Sequence, residues 1–145
     1  MEVFLKGEYR LTQRSAWPLA LCAEHHPALV KPWLSRMISR MQEPGVHDAV
    51  RRNVLRTLQS VDIPSPLLGR VAAACFGYLT SHEAPIAVKV FSMTVLGRIS
   101  VKKPDLGREL RLVIEQQLPY AGPGFRARAK QVLPLLPSTT DPRRT

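Results

Sequence analysis

The sequence has few cysteines and no long hydrophobic run. Its two cysteines, Cys22 and Cys75, lie far apart within apolar helical patterns, which excludes a framework of closely spaced disulfides and predicts reduced core residues. No uninterrupted apolar run approaches the roughly 20 residues that a membrane span requires. The opening stretch MEVFLKGEYR places an acidic residue where a signal peptide needs basic ones. We therefore expect a cytoplasmic protein without a membrane partner.

Motifs that carry chemistry are also missing. The sequence contains no glycine-rich phosphate loop, paired-cysteine motif or nucleophile elbow, and its eleven acidic residues are scattered. The four histidines fall at turns between helical segments. Cys22, His25 and His26 share the spacing of one helix face, but they would supply at most three metal ligands without an evident fourth. We expect no catalytic residue, no metal site and no cofactor.

Aromatic residues are few: two tryptophans, three tyrosines and four phenylalanines. A platform for single-stranded nucleic acid needs exposed rings interleaved with cations. Most of the rings here fall at helical positions that suit a core. Tyr9 and Tyr120, which lie next to turns, are the rings expected to be accessible, so a stacking platform has little support.

Acidic residues are outnumbered by basic ones. The chain has 21 Lys and Arg against 11 Asp and Glu, a net charge of +10, which predicts attraction to anionic surfaces. Every quarter of the chain contributes to the excess. The ending STTDPRRT looks like a loose basic tail.

What the sequence does contain is an internal repeat. Four basic residues recur at spacings of 37, 38 and 37 residues: Arg14, Arg51, Lys89 and Arg126. Seven positions after each of them stands a leucine: Leu21, Leu58, Leu96 and Leu133. Self-similarity at such a period is the signature of a stacked-repeat architecture. We expect these leucines to lie in the core.

Each repeat has the pattern of two short helices. Apolar residues recur at helical spacing, prolines and short polar clusters separate the segments, and no segment alternates like a strand. Asp48 and Gly124 are the expected N-caps, and Pro85 suits a first helical position. Two-helix units of about 37 residues must stack to bury their apolar faces. The sequence predicts an all-α fold, an α-solenoid of about three and a half units, as one domain over residues 1–137 with a flexible basic tail at 138–145.

One stretch carries a family resemblance. PWLSRMISRMQEPGVHDAVRRNVLRTL, from Pro32 to Leu58, resembles the HEAT repeat, in which a leucine-rich helix is followed by a turn and a Val-Arg pair that opens the partner helix. Val50-Arg51 and Val88-Lys89 carry that pair, and the other two repeats keep its basic residue. LTQRSAWPLALCAEHHPALVKPWL and GFRARAKQVLPLL resemble small bacterial HEAT-type proteins. The resemblance implies an α-solenoid, but no particular activity, because this fold serves many roles.

Six basic residues fall at the expected helix starts, and we refer to them as the basic ladder: Arg14, Arg51, Arg52, Lys89, Arg126 and Arg128. A cation at a helix start is disfavoured by roughly 0.3–1 kcal/mol, so something must offset the cost. The resemblance implies pairing with an acid of the preceding turn, as Glu83 would provide for Lys89. Asp48 is placed to pair locally with Arg51. The second interpretation is that the ladder binds a phosphate or carboxylate ligand.

We expect a non-enzymatic binding or scaffold module with a protein partner. The alternative is nucleic-acid binding, in which the basic ladder contacts the phosphate backbone. A HEAT-like DNA glycosylase is a third hypothesis, which the family resemblance raises, and it would need an acid such as Asp48, Asp62 or Asp105 beside a tryptophan. The first ten residues read as the end of an unpaired helix, so a homodimer through this uncapped end is also expected.

Overall fold

The structure is helical wherever it is described. The computed structural model describes Met1 and residues 21–138. Within these ranges there are α-helices, 3-10 turns and connecting turns, and no strand. The all-α prediction is confirmed.

The helices are short and follow one another closely. Residues 21–25 are helical, and they are followed by α1 (Pro27–Val30), α2 (Leu34–Met41), α3 (Asp48–Leu58), α4 (Ser65–Thr80), α5 (Ile86–Ser100), α6 (Pro104–Gln117) and α7 (Pro123–Val132). Three 3-10 turns occur at Lys31–Trp33, Leu118–Tyr120 and Leu133–Leu135. Prolines at the starts of several elements explain these frequent boundaries, because proline fits the first turn of a helix and disrupts its interior.

Helices α3, α5 and α7 begin in the same register. Each carries a basic residue at its fourth position: Arg51, Lys89 or Arg126. The N–H groups of Lys89 and Arg126 donate to the carbonyls of Pro85 and Gly122, both at 3.1 Å. These are the first helical bonds of α5 and α7. The period found in the sequence is therefore a period of helix starts.

The N-caps differ from the predicted ones by one or two residues. His47, rather than Asp48, caps α3, and its Nδ1 accepts a hydrogen bond from the N–H two residues on at 3.1 Å. Gly122, rather than Gly124, precedes α7, because the proline after it takes the first helical position. Pro85 lies at the N-cap of α5 instead of its first position.

The chain forms two compact units, Met1–Val71 and Ala72–Thr145, and the boundary falls within α4. In the first unit α2 packs against α3. Their buried side chains recur at the spacing of one helix face. They are Leu34, Met37, Ile38 and Met41 from α2, and Val50, Val54, Leu55 and Leu58 from α3.

In the second unit α5 packs against both α6 and α7. Residues on several sides of α5 are buried as a result. Its neighbours contribute Leu110 and Ile114 from α6 and Phe125, Ala129 and Val132 from α7. A Cβ atom added at Gly97 of α5 would lie 3.2 Å from Cγ1 of Val132, so the two helices approach closely there.

The repeated leucines are buried to different extents. Leu58 and Leu96 are fully buried, as predicted. Leu21 and Leu133 are half-buried. Leu133 opens a 3-10 turn instead of lying within α7, which leaves one side of it uncovered.

After α7 the chain returns across α6. The guanidinium of Arg111 donates to the carbonyls of Leu133 at 2.8 Å, Leu136 at 3.0 Å and Pro137 at 2.9 Å. A Cβ atom added at Gly107 would lie 2.8 Å from Cδ of Pro137, so this close approach requires glycine. Arg111 therefore holds the last described segment on the surface of α6.

Two sequence predictions concern regions that are largely not described. Apart from Ser138, the predicted flexible tail lies outside the described residues. The uncapped N-terminal segment, which was expected to form a homodimer, also lies outside the described residues apart from Met1. The single-domain assignment over residues 1–137 stays a prediction.

Replacing Leu96 by alanine should lower the free energy of unfolding by about 2–5 kcal/mol, because it removes a fully buried side chain and leaves a cavity. Leu112→Ala is the control, since Leu112 is 50% exposed. This variant should change the free energy of unfolding by no more than about 0.5 kcal/mol. Urea unfolding followed by circular dichroism measures both. Equal losses would contradict the packing of α5 described above.

Replacing Arg111 by lysine should lower the free energy of unfolding by about 1–3 kcal/mol, because an ammonium group cannot reach three carbonyls with the geometry of the guanidinium fork. Arg108→Lys is the control on the same helix, since Arg108 forms an exposed pair with Asp105. Thermal unfolding of both variants tests this difference. A control variant as unstable as Arg111→Lys would rule out a special role for Arg111.

Candidate functional site

The basic ladder is divided between the two units. Arg14 lies outside the described residues. Arg51 and Arg52 belong to the first unit, and Lys89, Arg126 and Arg128 belong to the second. The environments of these five described residues differ, and the differences decide which of them is available to a ligand.

In the first unit Arg51 is paired within its own helix turn. Its Nη1 lies 2.9 Å from Oδ1 of Asp48. The N-cap role falls to His47, so the carboxylate of Asp48 is available for this pair, and an acid in the first turn also suits the helix dipole. The predicted local pairing is therefore confirmed. Arg52 beside it is half-buried, and its Nε is buried without a hydrogen-bond partner.

In the second unit the two arginines of α7 also contact their own chain. Nε of Arg126 donates to the carbonyl of Ala121 at 2.9 Å. Nη1 of Arg128 donates to Oγ1 of Thr94 at 2.5 Å, and its guanidinium lies 5.9 Å from the centre of the Phe91 ring. These contacts hold both side chains close to the protein surface.

Lys89 is different. The predicted pair with Glu83 does not form, and within the part of the chain that the structure describes Lys89 has no ion pair. Its side chain is half-buried. It lies at the fourth position of α5, where the helix dipole disfavours a cation. Among the described residues, therefore, no neighbouring acid offsets the charge of Lys89.

Lys89 lines a pocket of about 470 Å³ in the second unit. The pocket lies where α4 and α6 end and α5 and α7 begin. Its lining consists of Thr80, His82, Ile86, Lys89, Gln116, Gln117, Tyr120, Ala121, Gly122 and Phe125. This volume falls within the range of about 300–1,000 Å³ that is usual for ligand sites.

The walls of the pocket are fixed by contacts between its elements. Nε2 of Gln117 donates to the carbonyl of Leu79 at 2.9 Å and so ties α6 to the end of α4. A Cβ atom added at Gly124 would lie 3.6 Å from Cγ1 of Ile86. The first turns of α5 and α7 therefore lie side by side. Phe125 is buried at 3% exposure and belongs to the core beneath them.

The apolar part of the pocket is open to solvent. Ile86 is 53% exposed and Tyr120 is 92% exposed. Accessibility of Tyr120 was predicted from its place beside a turn and is confirmed, whereas Tyr9 lies outside the described residues. Among the residues that the structure describes, no aspartate or glutamate lines the pocket. The arrangement suits an anionic group on Lys89 next to an apolar one on Ile86.

Several pocket residues were not identified from the sequence. Gln116, Gln117 and Ile86 carry no motif. The turns SHEAP and YAGPG do stand before successive ladder residues, Lys89 and Arg126. Equivalent turns of stacked repeats lie at one edge of the array. The alignment of these two turns in the sequence was therefore the signal that could have placed the pocket residues close together.

The cysteines and histidines do not form a second site in the described regions. Cys75 is buried and Cys22 is half-buried, and both are free thiols. His25 and His26 are exposed, and the described residues contain no group of three metal-ligating side chains. Burial raises the pKa of the Cys75 thiol to about 12.

Comparison with known protein families identifies the repeat. A family model described as HEAT repeat domain matches residues 2–135. The chain belongs to the HEAT repeat family. The predicted α-solenoid is thereby confirmed, and HEAT repeats generally serve as scaffolds for protein interactions. Comparison with curated proteins and with solved structures finds no match.

A helix that spans a membrane needs about 20 consecutive, predominantly apolar residues. Among the described residues of this HEAT chain, no helix is both long and apolar enough to cross a membrane.

Cys75 should not react with a thiol reagent while the HEAT fold is intact, because its sulfur is buried and its pKa of about 12 leaves almost no thiolate at pH 8. In a Cys22→Ser variant, labelling by Ellman's reagent should follow the rate of unfolding and accelerate with urea. Immediate labelling of the native variant would contradict the burial. A Cys75→Ser variant, which retains Cys22, provides the comparison.

Proposed function

We propose that this HEAT chain is a non-enzymatic scaffold module that binds a protein partner at the pocket of its second unit. The observation that supports this most is the combination of exposed Ile86 and Tyr120 with Lys89, a cation that has no ion pair with any described residue. Protein interfaces combine an apolar and aromatic centre with a polar rim. Tyrosine is also enriched among the residues that dominate binding energy.

Nucleic-acid binding through the basic ladder receives less support from the contacts. A phosphate-binding surface needs several cations that are free to reach successive phosphates. Here Arg51 contacts Asp48, Arg126 contacts a backbone carbonyl and Arg128 contacts Thr94. We propose that Lys89 is the ladder residue that contacts the partner and that these arginines chiefly organise the helix starts.

The contacts of the described residues do not support the glycosylase hypothesis. Two of the acids that it would use, Asp48 and Asp105, pair with the arginines three residues after them, Arg51 and Arg108. The third, Asp62, is exposed. A catalytic acid is instead expected in a shared pocket near the group that it serves, and the described lining of the pocket in the second unit contains no acid.

Selection from a displayed random-peptide library on the purified chain tests the proposed function. We expect enriched peptides that bind in solution with less than about a threefold change in affinity between ~50 and ~200 mM salt, since few ion pairs form. The double variant Arg52→Gln and Arg128→Gln should bind these peptides unchanged. Fluorescence anisotropy measures both expectations.

Fluorescence anisotropy with a labelled DNA duplex tests the alternative, nucleic-acid binding. If no peptide is enriched and the duplex binds, with an affinity that falls by orders of magnitude over this salt range, the proposed function is wrong. Loss of duplex binding in the double variant would then assign nucleic-acid binding to the ladder.

A further inference from the structure

We propose that the pocket beside Lys89 takes an acidic peptide segment of the partner, with one side-chain carboxylate on Lys89 and a neighbouring apolar side chain against Ile86. This inference rests on the proposed function and deepens it by naming the chemistry of the segment. Three observations support it: the charge of the pocket, its shape and the state of its polar groups.

The charge of the pocket is one-sided. Among the described lining residues Lys89 is the only lysine or arginine, and none of them is an aspartate or glutamate. The remainder of the chain adds to the same sign, with a net charge of +10. A cation that is half-buried has lost part of its hydration, and an anionic partner compensates for that loss. A carboxylate is therefore favoured over a neutral or cationic group.

The shape of the pocket suits a short stretch of peptide. Its volume of about 470 Å³ is enough for a few side chains and too small for a folded element. Ile86 and Tyr120 border it and remain exposed, so an apolar side chain of the segment can cover them. Burial of apolar area contributes roughly 25 cal/mol per Å², which supplies affinity that the single ion pair lacks.

The polar groups of the pocket limit where the carboxylate can lie. The amide nitrogen of Gln117 is occupied by the carbonyl of Leu79, and the hydroxyl of Thr80 donates to the carbonyl of Phe76 at 2.8 Å. The hydroxyl proton of Thr80 and one N–H of Gln117 are thereby used. The ammonium group of Lys89 has three donors and no ion pair within the described regions. Among the described lining residues Lys89 is also the only lysine or arginine, so the carboxylate is assigned to it.

The probe is an acetylated and amidated tripeptide of leucine, aspartate and leucine, compared with the same peptide carrying asparagine. The asparagine peptide has the same shape and lacks the charge. We expect the aspartate peptide to shift amide resonances in residues 86–89 and 120–125 in a ¹⁵N-labelled sample. The asparagine peptide should bind about fivefold more weakly, as for one partly exposed ion pair.

Lys89→Gln should remove the difference between the two peptides. Lys103→Gln is the matched control, because Lys103 is an exposed lysine of the same unit, lies outside the pocket and has the same charge; it should keep the fivefold difference. Ile86→Ser should weaken both peptides equally. Circular dichroism melting of each variant confirms that it is folded.

Any of three results with the peptides would overturn the inference: equal binding of the two peptides to the parent chain, a fivefold difference that survives Lys89→Gln, or shifts confined to other residues. Inorganic phosphate and an oligothymidylate are tested in parallel. If either one shifts the pocket amides at lower concentration than the aspartate peptide, the pocket is a phosphate site and the inference is wrong. Library peptides that bind at the pocket without a carboxylate would leave the proposed function intact, so the two failures are distinguishable.

Discussion

The packing of α5 against both α6 and α7 is the constraint on which the second unit depends. It buries Leu96 and Met93 of α5 together with Leu110 and Ile114 of α6. Because α5 has neighbours on two sides, its first turn is fixed relative to the end of α6 and the start of α7. The pocket lies among these helix termini and the end of α4, and its geometry therefore follows from burial of the core. Arg111 adds to this arrangement by holding the chain after α7 on α6.

The same electrostatic problem arises at three equivalent helix starts and is solved at two of them. A cation at the fourth position meets the positive end of the helix dipole. Arg51 is compensated by the carboxylate of Asp48, and Arg126 by a backbone carbonyl. Lys89 has neither kind of contact with a described residue. Backbone register repeats along this chain while the chemistry at each start does not. A difference of this kind between otherwise equivalent positions is where a repeat protein acquires a specific contact.

The sequence predicted the fold better than the site, for a physical reason. Helix starts and buried leucines follow from local periodicity and proline placement, which is why the common register of Arg51 and Lys89 could be read directly. Side-chain pairing depends on distances between elements that a single sequence does not contain. Glu83 has the right separation from Lys89 in sequence, yet no pair forms. Gln117 and Leu79 are 38 residues apart and form a hydrogen bond that no local pattern indicates.

The charge and the shape of the pocket beside Lys89 support the proposed peptide ligand over a phosphate chain. Affinity for nucleic acid comes from many cations acting together and is lost when salt replaces the released counterions. In the described second unit, two of the three ladder cations are engaged with their own chain, so the surface keeps the long-range attraction of a basic protein without a row of free contacts. Long-range attraction raises association rates and selects acidic partners. In the proposed complex the short-range contacts fall to Ile86, Tyr120 and Lys89, and this combination would distinguish among acidic segments by the side chain next to the carboxylate.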